Sequence, residues 1–220
     1  MPGALAVFDI DGTLVRGDCG VLFALFCAAR GLLTPREIAG MGAWGARALL
    51  GRIGEPEVAE AKRLMLRFSA RLGEARFAEI YDECFRSSIV PRLRSELREE
   101  LEARRADGAV VLITANLRDF AVRLGGHLGI PASHCFGAVG ARRDGALTGE
   151  LAEPVPMSEV RAQLVRGLLE RACVQRERTC AYGDSIHDAP MLREVGRPCA
   201  VYPSRALRVL AQASGWRILG

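Results

Sequence analysis

Four short apolar runs punctuate the chain, and each stops at a polar residue, a glycine or a proline. Residues 5–8 stop at Asp9, 109–113 at Thr114, 179–182 at Gly183-Asp184, and 199–202 at Pro203. Runs this short, with little polar alternation, suit strands covered on both faces, as in a parallel sheet. Between the second and third runs the apolar spacing predicts helices over 117–128 and 158–173. Strands alternating with helices of that size predict an α/β protein with a doubly wound, parallel, Rossmann-like sheet. Ligands bind such sheets at the carboxyl ends of the strands, where these polar residues fall.

After the first run the pattern changes. Segments 21–30, 35–50, 57–72 and 74–86 keep helical spacing and carry no strand signal. They predict a helical insertion, with residues 17–89 as one unit and residues 1–16 plus 90–220 as the sheet-bearing core. Gly40, Gly42, Gly45, Gly51 and Gly54 thin out the second of these helices. Turns or loose packing explain them most simply; a hinge or a substrate-facing surface is the alternative. Pro91 is expected to open a charged amphipathic helix over 92–105, and Arg-Asp-Gly within 136–151 predicts a hairpin.

Composition fits a packed globular chain: of 220 residues, half are hydrophobic and a quarter charged. The net charge of +4 is spread along the chain, without the basic stripe of a nucleic-acid surface, so no nucleic-acid partner is expected. The longest apolar run, 21–29, is too short to span a bilayer, and the first residues lack the basic start of a secretion signal. A cytoplasmic protein is therefore expected, a monomer or homodimer with no membrane contact. Seven cysteines, odd in number and with no C-x-x-C pair, predict small buried hydrophobes in place of disulfides or zinc ligands.

Asp9-Ile10-Asp11-Gly12-Thr13 directly follows the first apolar run. Carboxylates at i and i+2 leaving a strand project to one side, and two anions there need a cation or protons to compensate. Alone, an Asp-x-Asp-Gly also suits a solvated turn. Gly183-Asp184-Ser185-Ile186-His187-Asp188 shifts the balance, because it brings two more acids to another strand end. Four converging carboxylates make a hard-oxygen site, which suits Mg²⁺ better than zinc or copper. Thr114-Ala115-Asn116, between a strand and a helix, offers a hydroxyl and backbone N–H groups to phosphate oxygens. Arg161 lies near the start of the 158–173 helix, where its charge can face the same place. A metal, an anion cradle and a cation beside a carboxylate are the parts that phosphoryl transfer needs. The histidines, His127, His134 and His187, are expected to be solvated or hydrogen-bonded, not metal ligands.

These four segments, extended by Leu14 in the first, resemble in order the four signatures of the haloacid dehalogenase superfamily. The resemblance is strongest to the phosphoserine-phosphatase-like branch, which carries a helical cap after its first strand. It spans essentially the whole chain, and the first and last motifs are the specific ones. It implies a Mg²⁺-dependent phosphatase that hydrolyses a small-molecule phosphate monoester through an aspartyl-phosphate, with residues 17–89 as the cap. By that resemblance Asp9 would be the nucleophile and a metal ligand. Asp11 would be the general acid/base and lend its backbone carbonyl to the metal. Asp184 would be the remaining protein ligand, and Asp188 a holder of metal-bound water or of Arg161. Thr114, Ala115, Asn116 and Arg161 would bind the phosphate.

The chain departs from the family pattern in places. Arg161 stands where lysine is more frequent, and arginine keeps the charge while changing the geometry; an ordinary surface role is the alternative. Asn116 stands where serine or glycine is frequent, and no side-chain role is assigned to it. Asp18 falls near the glutamate with which phosphoserine phosphatases read an amino group, so it would bind an amine or cap the helix that follows. The first of these points to phosphoserine or a related amino-alcohol phosphate. Arg47, Arg52 and Lys62, the last being the only lysine, would contact a substrate carboxylate or simply lie on the surface. Two other functions compete. A carbon–halogen hydrolase on this fold would lack the second aspartate, which Asp11 supplies. A catalytically silent binding protein would have a broken nucleophile or metal motif, and neither is broken.

Overall fold

Residues alternate along the central strand β1 (Ala4–Asp9) between two separate hydrophobic clusters. Ala6 and Phe8 face one, Leu5 and Val7 the other. The same division holds in β2 (Gly108–Leu117), β6 (Thr179–Gly183) and β7 (Arg197–Val201). With β3 (Cys135–Ala138) and β8 (Arg217–Leu219) these strands form a six-stranded sheet of order β3-β2-β1-β6-β7-β8, parallel at every pairing. The period-2 side-chain alternation of a strand thus serves two helical layers at once. This is a computed structural model, and it describes residues 3–49 and 54–220.

On one face lie α5 (Ser95–Asp107) and α6 (Arg118–His127); on the other α7 (Ser158–Ala172), α8 (Ala189–Glu194) and α9 (Arg205–Ala213). Between β1 and β2 run α1 (Cys19–Ala29), α2 (Pro35–Leu49), α3 (Glu55–Leu72) and α4 (Glu74–Cys84). These inserted helices share the core of the first face. Phe23 of α1 meets Phe77 and Tyr81 of α4 at 5.1 and 5.3 Å, and Phe120 of α6 at 5.6 Å, all edge-on. Edge-to-face rings add to plain area burial. A separate hairpin, β4 (Gly140–Arg143) and β5 (Ala146–Leu151), seats α3, with Arg67 2.9 Å and Arg63 3.2 Å from Glu150. In its turn Asp144 and Gly145 take φ of 50° and 84°, as a two-residue hairpin requires.

Several expectations need correction. β2 runs on through Thr114–Asn116, with a register shift against β3 between Ile113 and Leu117, so that segment is an irregular strand end and not a free loop. The helix expected over 92–105 starts later: a 3₁₀ turn takes Val90–Arg92, and α5 begins at Ser95. The hairpin is confined to 140–151, because residues 135–138 join the main sheet. β3 and β8 are edge strands of four and three residues, too short to leave a periodic signal. α2 continues as helix through Gly40, Gly42 and Gly45; Gly51 and Arg52 lie outside the described residues. Six of the seven cysteines are buried, and Cys173 alone is exposed. Among the described residues no helix is long and apolar enough to cross a membrane.

Candidate active site

β1 pairs with β2 on one side and β6 on the other, and the strand order reverses there. A crevice at the carboxyl ends follows from this topology. Asp9 ends β1, Thr114 lies near the end of β2, and Asp184 follows β6. Beyond Asp9 the chain turns tightly: Gly12 N–H donates to Val15 O at 2.9 Å and Gly17 O at 3.0 Å. Gly12 takes φ +82°, and a Cβ there would stand 2.2 Å from Asp184 Oδ2. Only glycine allows both this turn and the approach of the two acidic motifs.

One half of the site gathers on Arg161. Its guanidinium, 4% exposed, donates to Asp9 Oδ1 at 2.9 Å, closely to Asp188 Oδ1, and through Nε to Pro156 O at 3.2 Å. Asp188 Oδ2 accepts from the backbone N–H groups of Asp184 and Ser185 and from Ser185 Oγ, all at 2.9–3.0 Å. Asp188 is therefore tied on both oxygens and holds Arg161 in place. Thr13 Oγ1 donates to Asp184 Oδ1 at 3.4 Å. Burial raises the Asp9 carboxyl well above the usual range; Arg161 opposes this, while Asp188, Asp184 and Asp11 add to it. Asp184 is pushed up to about 7, by burial first and then by Asp188.

The other half gathers on Asn116. Asp11 accepts from Cys19 N–H at 2.7 Å, Thr114 Oγ1 at 2.5 Å and Asn116 Nδ2 at 3.0 Å. Asn116 Nδ2 also reaches Asp18 Oδ1 at 3.3 Å, and its Oδ1 accepts from Lys62 Nζ at 2.5 Å. Asp18 caps α1, accepting from Val21 N–H at 2.9 Å. Burial raises the Asp11 carboxyl, the Asp18 charge adds to that, and the bonds from Thr114, Cys19 and Asn116 pull the other way.

The sequence reading left the side-chain roles of two residues here unassigned or misplaced. Lys62, expected on the surface or against a substrate carboxylate, is buried at 7% exposure and brings a cation from α3 into the site. Asn116, given no side-chain role, links Lys62 to Asp11 and Asp18. A Cβ at Gly20 would stand 2.4 Å from Asn116 Oδ1, so the start of α1 leaves room for that amide. Being the only lysine in an arginine-rich chain was the one available signal. Arg47 is exposed. Thr114 and Asn116 turn their side chains to Asp11, and Ala115 lines a cavity of about 360 Å³ that Asp9, Asp11, Arg161 and Asp184 also line. Of the histidines, His134 Nδ1 bonds Val110 O and His187 Nδ1 bonds Ser158 Oγ, at 3.1 and 3.4 Å.

The donor set fits a hard divalent cation. One carboxylate oxygen from each of Asp9, Asp184 and Asp188 lies within 4.8 Å of the other two. Five acids (Asp9, Asp11, Asp18, Asp184, Asp188) face two cations, Arg161 and Lys62, and three of the acids are pushed up, by burial first and then by their acidic neighbours. Carboxylate oxygen is the ligand that Mg²⁺ prefers.

Comparison with known proteins agrees with this geometry. Residues 6–193 match the family described as haloacid dehalogenase-like hydrolase. Phosphoserine phosphatase SerB1 of Mycobacterium tuberculosis is 34% identical over 220 residues, covering 98% of this chain and 70% of that protein. A protein of unknown function from Bordetella pertussis Tohama I has the same fold at a TM-score of 0.85, with 26% identity over 98% of this chain and 97% of its own. A substrate-bound phosphoserine phosphatase superposes at a TM-score of 0.67 with 15% identity, over 99% of this chain and 92% of its own, a likeness of fold alone. The chain belongs to the haloacid dehalogenase-like hydrolases, in their phosphoserine-phosphatase-like branch.

Proposed function

We propose that the chain is a Mg²⁺-dependent phosphatase, acting on a small-molecule phosphate monoester through an aspartyl-phosphate formed on Asp9. In this reading residues 1–16 and 90–220 are the catalytic core and residues 17–89 a cap that completes the site. One observation carries it: the buried Asp9 carboxylate is held by Arg161 and clustered with Asp184 and Asp188, while a second carboxylate two residues on, Asp11, is bonded to a different set of groups.

Asp9, Asp184 and the Asp11 backbone carbonyl would hold Mg²⁺, with Asp188 beside them, and the bound ion would supply the positive charge that offsets repulsion between a carboxylate and a phosphate dianion. Arg161 fixes Asp9 Oδ1, which leaves Oδ2 to attack phosphorus in line with the leaving oxygen. The same guanidinium faces the charge that develops on the equatorial oxygens. Asp11 enters protonated and gives its proton to the departing alkoxide. Its raised proton affinity, from burial and from Asp18, supports that state. As carboxylate, Asp11 then takes a proton from the water that cleaves the acyl phosphate, and Asp9 is regenerated. Thr114 and Asn116 orient Asp11 throughout.

The relative named a phosphoserine phosphatase puts phosphoserine and other amino-alcohol phosphates among the esters to assay, although Asp18, the acid that would meet the amine, is already bonded to Val21 N–H and the Asn116 amide. Release of p-nitrophenol from p-nitrophenyl phosphate, assayed with Mg²⁺ and with EDTA, tests the reaction. Turnover that requires Mg²⁺ is expected; equal turnover in EDTA contradicts the metal assignment, and none under either condition contradicts the reaction.

A further inference from the structure

Beside the catalytic cavity lies a second one, of about 280 Å³, enclosed by α1, α2 and α3. Phe23, Leu33, Met41, Leu64, Met65 and Phe68 make its walls apolar. Asp18, Trp44, Ala61 and Lys62 line both cavities, so the two adjoin along those residues. Small residues hold the space open: Gly20, Ala24, Gly40 and Gly45 also face it. Gly45 sits inside α2, and a Cβ there would meet nothing within 4 Å. Glycine disfavours a helix interior, and an unfilled apolar space forfeits contacts. Neither helix formation nor core packing therefore accounts for a glycine-rich helix set against a void.

The polar groups along the shared wall are mostly donors. Lys62 brings an ammonium already seated on Asn116, and the buried Trp44 Nε1–H finds no acceptor among the described residues. Asp18 is engaged by Val21 N–H and the Asn116 amide. Farther out, Glu37 is committed to Thr34 and Arg71. Phosphoserine carries an ammonium and a carboxylate beyond its phosphate. Asp18 and Lys62 are already bonded and the rest of the lining is mainly apolar, so seating both charges in this space would bury them against apolar walls, which is costly. An apolar body with an oxygen near the ester end fits the lining far better.

We propose that this cavity receives the alcohol portion of the substrate, and that the enzyme acts on phosphate monoesters of alcohols with an apolar alkyl or aryl body. The inference rests on the phosphatase reading and names the substrate class for the same site. Its test is kcat/KM for n-alkyl phosphates from ethyl to octyl, with phosphoserine alongside. Burial of each added methylene predicts a rise of about four-fold until the cavity is full. A flat series, or phosphoserine ahead of hexyl phosphate, overturns the proposal. Gly45→Phe fills the cavity and is expected to bring the hexyl-to-ethyl ratio towards one. Ala24→Leu is a milder filling that does the same in part, should the first variant fold poorly; a wild-type ratio in both folded variants overturns the proposal. Loss of turnover on every ester, p-nitrophenyl phosphate included, would instead strike the phosphatase reading beneath it.

Discussion

The two halves of the acidic centre are neutralised from different parts of the molecule. Asp9 and Asp188 face Arg161, which rises from α7 in the sheet-bearing core. Asp11 and Asp18 face Lys62, which descends from α3 in the insertion and acts through Asn116. The first half is complete within the core; the second is complete only when α3 is seated. The inserted helices therefore bring a positive charge to the acidic centre, and in the proposed reading they also cover it. Their aromatic packing against α6 makes that seating part of the core.

Substitutions can break this comparison, beginning with the largest effect. In the proposed reading Asp9→Asn removes the attacking oxygen's charge, and turnover of p-nitrophenyl phosphate should fall by about four orders of magnitude or more. Activity near wild type would mean that another group attacks. Arg161→Ala leaves two buried carboxylates facing each other. We expect a loss of roughly 10²–10³ in kcat/KM and about 3–5 kcal/mol in stability, read by assay and by urea melts. Arg161→Lys should recover part of both, since the charge returns without the fork.

Lys62→Met strips the cation from the other half while keeping the length of the stem. A fall of about ten-fold in kcat is expected, as for loss of one positioning contact in an acid–base step. If KM alone rises, Lys62 serves substrate binding and not Asp11. The smallest effect concerns pH. Asp184 titrates near 7 in the folded protein against 3.8 ordinarily, so between those values the folded state holds a proton that the unfolded state has lost. Metal-free protein should therefore lose stability as pH rises from about 4 through 7, its Tm falling a few degrees between pH 5 and pH 8. Added Mg²⁺ should raise Tm more at pH 8 than at pH 5, because protons compete for the same oxygens. A Tm in EDTA that is flat or rises across that range contradicts the excess of buried acid.

Much of this was legible along the chain, and the reason is local. Strands buried on both faces leave apolar runs, and the four longer strands of the sheet showed themselves that way. Short edge strands such as β3 and β8 bury too few side chains to leave a pattern. Asp9, Asp11, Asp184 and Asp188 stood out because each pair sits within one short segment at a strand end. Lys62 and Asn116 are 54 residues apart; the motif at 114–116 marks Asn116 but nothing along the chain shows that Lys62 is its partner.

Sequence by itself determined the four inner strands of the sheet, their alternation with helices, the acidic motifs and the family to which they belong. All of these depend on neighbours within a few residues, where periodicity and turn chemistry operate. Tertiary structure decided which cation serves which carboxylate, the true place of Lys62 beside Asn116, and the apolar cavity that α1, α2 and α3 leave unfilled. Those are properties of surfaces brought together by folding, and no one segment carries them.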